Sequence, residues 1–475
     1  MNKRTTIVGT IGPSSETTAV LASLMTAGLN VARLNFSHGT HQHHHMLVSH
    51  IRSAARQTHK TIAILADLQG PRLRLGDFTG EKKLTRGHKI VLLPEKKYPQ
   101  WKSERLALPL GYPTLYRHVR RGQRIFVKDG LIELRVTSVR PKQEMIVAKV
   151  VTGGSVTARR GMNLPGANLD IPAVTVKDRA DALFALELGV DWLALSFVGK
   201  AADVNGLRRY IASHLKRGQA APKIMAKIET TEAVHRLDEI IAAADGIMIA
   251  RGDLGIELPV EELPVLQKDI ITKCRLADKP VIVATQMLES MMINPRPTRA
   301  EITDVANAVV DHTDAVMLSG ETASGQYPVE AVKVMAKIIE HMERSHYDDV
   351  RHKPVKTTDP LIATAGAATR LALQAGAAAV VVFDTDGQLA QAISASRVEL
   401  PVLAVTSNDR LAHQLVLNWG LIPCAVATLP QSLTAAARQA TALLKKKKIT
   451  LHGQPIVIVV RTKGEKARNI VEVVG

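Results

Sequence analysis

Cysteine is scarce in this 475-residue chain, with only Cys274 and Cys424 present. They stand far apart, and neither belongs to a CxxC or Cys/His spacing that would hold a metal. The pattern excludes a disulfide framework and points to a reducing, cytoplasmic setting. Aromatic residues amount to 3%, and no RNP, zinc-finger or basic-zipper pattern accompanies them, which removes the usual modules of nucleic-acid recognition. No apolar stretch attains the roughly 18 residues of a membrane span. Near the start, Lys3 and Arg4 precede apolar residues that Gly9, Thr10, Gly12 and Pro13 interrupt before a signal-peptide core accumulates.

Lysine and arginine total 62 against 44 acidic residues, a formal charge of +18. Such a chain attracts nucleic acid, acidic membranes or phosphorylated metabolites. The sign of the charge does not choose among these, and without a nucleic-acid module or stacking aromatics nucleic acid is at most a secondary partner.

At roughly 150 residues per domain the length allows about three domains. From residue 5 to 320, eight short β-rich runs alternate with longer helical patterns: TTIVGT, NVARLNF, IAILADL, DWLALSF, KIMAKIE, GIMIA, PVIVATQ and DAVMLS. Eight is the number that closes a parallel (β/α)8, or TIM, barrel with helices outside. The spacing between IAILADL and DWLALSF is too long for one helix, so a domain is inserted there. Its segments KIVLL, RIFVKD, LIELRVTSV and MIVAKVV, broken by glycine and proline, predict an all-β unit. Past a polar linker with Pro354 and Pro360, AAAVVVFD, PVLAVTS and PIVIVV alternate with helical stretches and predict a third, α/β domain. The expected boundaries are 1–69 plus 171–345 for the barrel, 70–170 for an inserted β-barrel lid, and 346–475 for a C-terminal regulatory domain.

Parallel barrels work at the carboxyl ends of their strands. Those ends carry Thr10; Arg33, Asn35 and Ser37; Asp67; Ser196; Lys227 and Glu229; Arg251 and Asp253; Thr285; Ser319 and Glu321. A strand that ends in a charge is unremarkable alone; nearly every strand delivering one to the same rim is a functional signal. A lysine with two carboxylates on adjacent strands can gather a divalent metal and an anionic group, as phosphoryl transfer requires.

Five separated stretches, NVARLNFSHG at 30–39, KIMAKIETTEAV at 223–234, ARGDLGIE at 250–257, ATQMLESM at 284–291 and PRPTRAEITDVANAVVDHTDAVMLSGET at 295–322, resemble the pyruvate kinase family in its order. The resemblance extends to RRGMNLPGA at 159–167 and, in broad pattern, to the C-terminal domain. It implies transfer of phosphate from phosphoenolpyruvate to ADP, giving pyruvate and ATP in glycolysis, by a cytoplasmic homotetramer. Glu229 and Asp253 match the ligands of Mg²⁺ or Mn²⁺, and two hard carboxylates suit either ion. Lys227 matches the lysine that neutralises the transferring phosphoryl group, and Arg33 the arginine whose fork binds it. Gly252, Asp253 and Thr285 match the group that receives the substrate carboxylate. Thr285 and Ser319 lie where a hydroxyl and water relay delivers the proton to the enolate, without a choice between them.

For the nucleotide, the matching positions are Thr10, Pro13, Arg33, Asn35, His38, Arg74 and Arg160, the last an arginine where the family more often has lysine. Asn35, Ser37 and Asp67 match three ligands of the family's K⁺ site, but Leu68 replaces the threonine that completes it and Arg72 replaces a glutamate. This resembles the bacterial K⁺-independent subgroup, with Arg72 as a tethered substitute for the cation. In the C-terminal loop FDTDGQLAQ at 383–391, Asp384 and Asp386 stand where hydroxyl residues would suit a phosphate, and two carboxylates oppose fructose 1,6-bisphosphate. Another sugar phosphate or a nucleotide remains open as effector.

The histidines at 38, 41, 43, 44, 45 and 50 crowd one helical stretch, but no single ligand set emerges from their spacing, and a solvated helix start outweighs a metal site. Lys445 to Lys448 complement a helix C-terminus. Two rivals stand beside the kinase reading: a metal-dependent aldolase of phosphoenolpyruvate or pyruvate on a similar barrel, which would not require the insertion or Arg160, and a basic scaffold or nucleic-acid-binding protein that keeps the fold without activity.

Overall fold

The computed structural model describes residues 3–167, 171–350, 357–461 and 469–475. Strands β1 (Thr6–Thr10), β2 (Val31–Asn35), β3 (Ala63–Asp67), β4 (Trp192–Leu195), β5 (Lys223–Ile228), β6 (Gly246–Ala250), β7 (Val281–Ala284) and β8 (Ala315–Leu318) form one closed barrel. All eight neighbours pair in parallel, β8 closing on β1. The eight apolar runs expected as strands are these eight. They lack a polar alternation because helices cover one face and the barrel interior the other. Inside, Val8, Leu65, Trp192, Met225, Met248, Ile282 and Met317 pack as one cluster.

The helices outside begin where the sequence supplies caps. Thr175 and Thr298 each accept from the third helical amide while Asp178 and Glu301 return the bond, two full capping boxes. Thr40 caps the helix His41–Thr58 through its hydroxyl.

The insertion is all-β. Six strands lie in the order Met162–Asn163, Arg124–Val127, Ile132–Arg140, Met145–Thr152, Lys89–Pro94 and Ala107–Leu110, and Lys82–Leu84 pairs with Gly154–Val156. One core, with Leu92, Leu108, Ile125, Leu134 and Val150 at its centre, joins them. The expected β-barrel is thus two sheets about one core rather than a single closed sheet.

In the C-terminal domain the strands Leu421–Ala425, Val402–Thr406, Ala379–Phe383 and Ile456–Arg461 are parallel, and Asn469–Val474 pairs antiparallel at the edge. This domain docks on the amino ends of the barrel strands. Val416 and Leu417 enter the barrel's interior cluster, and the Trp192 indole donates to Gln414 O at 3.2 Å. Buried Arg397 donates to both Asp314 carboxylate oxygens at 3.1 and 3.0 Å. With the base plugged in this way, the carboxyl rim and the insertion above it are left for chemistry.

Candidate active site

The rim is built on a buried charge cluster. Lys227, 9% exposed, ends β5 with its ammonium 2.8 Å from Glu229 Oε1 and 3.4 Å from Asp67 Oδ1, and it donates to Ser196 Oγ at 2.8 Å. Arg33, midway along β2, sets two nitrogens 2.7 Å from Asp67 Oδ2 and donates to Thr10 Oγ1 at 2.9 Å. Five strands therefore meet through side chains at one point. Two cations face two carboxylates, and buried charges held this way keep a fixed geometry because losing either partner strands the other.

The electrostatics follow from that packing. Burial alone would raise the Asp67 pKa, but Lys227 and Arg33 outweigh it and hold the carboxyl below its ordinary value. Burial would lower that of Lys227, but Asp67 and Glu229 more than restore it, so the lysine stays an ammonium. Glu229 is raised by burial, opposed by Lys227 and reinforced by the nearby charge of Asp253. Its Oε2 also accepts from Phe197 N at 2.6 Å.

Beside this cluster, β6 runs into the short helix Arg251–Glu257. Thr285, at the end of β7, accepts from Gly252 N at 2.7 Å and donates to Ala284 O at 2.6 Å. Its φ of 70° is left-handed, a costly conformation for a β-branched residue and one that clusters at functional sites. Arg251 holds the turn by bonding to Thr285 O at 2.8 Å and to both Asp304 oxygens at 2.7 Å. Ser319 N donates to Glu321 Oε2 at 2.7 Å, and Glu321 Oε1 accepts from Leu288 N at 3.1 Å, so buried Glu321 links the loops after β7 and β8.

Other positions expected at the site lie around this centre. Asn35 Oδ1 accepts from Ser37 N at 3.1 Å. Pro13 and His38 are exposed. On the insertion, Arg74 donates to Arg159 O at 3.2 Å and Arg160 to Thr157 Oγ1 at 3.0 Å; no bond joins either to the barrel cluster. Arg72 lies at the hinge, the Gly/Pro-containing segments 70–72 and 161–166 by which the chain enters and leaves the insertion, and it pairs with Asp129 of the insertion at 2.6 Å rather than with Asn35, Ser37 or Asp67. The residues that sequence reasoning missed are Asp304 and Phe197. Their roles depend on positive-φ turns and on a partner 53 residues from Arg251, for which no local signal exists.

The histidine stretch separates into individual contacts. His41 meets Asp181 at 2.8 Å, His43 meets Glu16 at 3.0 Å, and buried His44 stacks on Phe36 with centroids 4.2 Å apart. Among the described residues no group of three or more His, Cys, Asp or Glu side chains is arranged to hold a metal. Cys274 and Cys424 are free and buried. In the C-terminal loop, Asp384 accepts from Leu389 N at 2.8 Å and Ala390 N at 3.2 Å, and Asp386 pairs with Arg461 at 2.8 Å. No helix among the described residues is long and apolar enough to cross a membrane.

A (β/α)8 barrel with a buried lysine between carboxylates at its carboxyl rim, beside an inserted β domain, is the architecture of an enzyme that handles an anionic substrate. Residues 2–332 match the family model described as pyruvate kinase, barrel domain, and residues 362–474 match pyruvate kinase, alpha/beta domain. The chain is 45% identical over 429 residues to a pyruvate kinase of Geobacillus stearothermophilus, covering 89% of this chain and 71% of that protein. It is 41% identical over 450 residues to one from Agrobacterium vitis, covering 92% of each. A crystal structure of a pyruvate kinase from Cryptosporidium parvum superposes with a TM-score of 0.90 at 35% identity, covering 99% of this chain and 96% of that one. The chain belongs to the pyruvate kinase family, whose reaction converts phosphoenolpyruvate and ADP to pyruvate and ATP.

Proposed function

We propose that this barrel rim carries out the family reaction with the residues expected from sequence, and the observation that carries the reading is Lys227. A buried ammonium kept charged by Asp67 and Glu229 is suited to meet a phosphoryl group whose charge spreads over its oxygens. Arg33 offers a planar fork to the same phosphate, preset by its bonds to Asp67 and Thr10. Gly252, Asp253 and Thr285 receive the substrate carboxylate, which would take the Gly252 amide over from Thr285 Oγ1. Thr285 and Ser319 belong to the hydroxyl relay that brings a proton to the enolate carbon. Thr10, Pro13, Arg33, Asn35, His38, Arg74 and Arg160 receive the nucleotide, the last two reaching it from the lid, whose closure excludes water.

Glu229 and Asp253 would hold Mg²⁺ or Mn²⁺, the two hard oxygen donors leaving room for substrate oxygens and water. The fit rests on their mutual repulsion, which contributes to the raised Glu229 pKa and makes added positive charge favourable there. When bound, the cation supplies charge neutralisation against the substrate's anionic oxygens.

K⁺ is not required in this reading. Leu68 is buried and brings no hydroxyl to Asn35, Ser37 and Asp67, and Arg72 carries a permanent cation at the hinge, tied to Asp129. The protein is cytoplasmic and homotetrameric. Exposed Val265 and Leu276 on one barrel helix, 64% and 77% accessible, support subunit contact there. Asp384 and Asp386 disfavour a sugar bisphosphate at their loop.

A coupled assay for pyruvate from phosphoenolpyruvate, ADP and Mg²⁺, run in K⁺ and in Na⁺ salts, tests the cation reading. Equal rates are expected. Leu68→Thr with Arg72→Glu should create partial K⁺ dependence, and a wild-type enzyme nearly inactive in Na⁺ but active in K⁺ would refute the assignment.

A further inference from the structure

The helix Arg251–Glu257 has two ends with different surroundings. Its first turn carries Gly252 and Asp253. Its last turn faces the insertion through a cleft of about 770 Å³ that Leu73, Met162 and Leu164 line from the hinge side and Phe197, Thr231 and Glu257 from the barrel side. Two contacts cross to the insertion here. The half-buried Glu257 side chain lines this cleft together with Gly166, where the chain returns from the insertion, and with Thr231. A Cβ built on Gly130, in the insertion's loop between Val127 and Ile132, would stand 3.4 Å from Ile256 Cγ1, so that loop rests on the helix. The same loop is anchored to the hinge by Asp129, which pairs with Arg72 at 2.6 Å. Thr231 opens the segment that begins two residues after Glu229. One carboxylate thus lies beside the hinge, the segment following one proposed metal ligand and the helix that bears the other.

We infer that Ile256 and Glu257 form a latch through which lid closure seats the Arg251–Glu257 helix, with Glu257 a positioning residue for substrate binding. The inference rests on the reading of Gly252 and Asp253 given above. When the lid swings away, Gly166 and Gly130 leave the last turn, Glu257 and Ile256 lose the neighbours that cover them, and the helix is free to shift. Closure restores both contacts and fixes the first turn. Neither Ile256 nor Glu257 needs to touch substrate for this coupling.

Glu257→Ala, Glu257→Gln and Ile256→Ala separate the latch from a merely structural role. Losing the Glu257 side chain from the cleft should raise KM for phosphoenolpyruvate about tenfold, while kcat falls less than about threefold. Glu257→Gln, which keeps an acceptor, should recover to within about threefold of wild type, and Ile256→Ala should shift KM in the same direction by less. Hydrogen exchange gives a readout independent of turnover: phosphoenolpyruvate with Mg²⁺ should slow exchange at the Gly166 amide in wild type but not in Glu257→Ala. If Glu257→Ala does not fold, Ile256→Ala and Glu257→Gln carry the test. Unchanged KM with intact ligand-induced protection of Gly166 would overturn the latch. A wild type that converts no phosphoenolpyruvate would instead overturn the assigned reaction.

Discussion

Lys227 is the side chain whose removal distinguishes phosphoryl transfer from metal binding. It neutralises Asp67 and Glu229 without supplying an oxygen donor, so Lys227→Met takes a cation from the phosphoryl group and leaves both proposed metal ligands in place. Transfer should fall by about 10³-fold or more, the scale seen when a cation is withdrawn from this kind of transition state. Mg²⁺ affinity should be retained, and enolisation of bound pyruvate should survive better than the full reaction. Metal binding lost together with activity, measured by Mn²⁺ titration, would contradict the division of roles. At this scale the sequence displayed Lys227, Glu229, Asp67 and Arg33 because each is a charge set in or just after an apolar strand. It could not display Thr285 at φ 70° or Phe197 at φ 53°, since the surrounding packing, not the residue type, imposes such conformations.

Two elements carry predictions of their own. The loop before the helix Gln388–Ala395 has its leading amides engaged by Asp384, and Asp386 both accepts from Gln388 N and pairs with Arg461. A phosphate arriving there meets two carboxylates and no free leading amide at Leu389 or Ala390. Titration with fructose 1,6-bisphosphate should leave half-saturation by phosphoenolpyruvate unchanged, and activation abolished by mutating this loop would contradict it. The acidic residues were visible in sequence; the capping was not, because it requires the chain to turn back on Asp384. The second element is the helix Arg251–Glu257. Burial raises the Glu257 carboxyl from the ordinary 4.5 to about 7. Across that window the folded protein keeps a proton the unfolded chain has released, so this group's contribution to stability declines as pH rises and levels off above about 7. Glu257→Gln lacks the titration. Its melting temperature relative to wild type should therefore climb between about pH 5 and pH 7 and then stay constant, and parallel melting curves at every pH would exclude the effect.

For the whole molecule, architecture was legible wherever burial imposes a pattern. Eight apolar runs became eight barrel strands, and the long gap after Asp67 became the β insertion. What stayed hidden depends on residues far apart in sequence. Val416 and Leu417 close the base of a barrel whose first strand begins at Thr6, and Arg397 reaches Asp314; neither contact leaves a local signature, since a short apolar pair reads the same in any core. The claim that unites the rim, the lid and the family is direct phosphoryl transfer from phosphoenolpyruvate to ADP. Phosphorus NMR on the full chain with phosphoenolpyruvate, ADP and Mg²⁺ follows both substrates in one sample. The account predicts that the phosphoenolpyruvate signal decays while the ATP β-phosphate signal grows in equal amount. Decay into inorganic phosphate without ATP, or no decay at all, would contradict it.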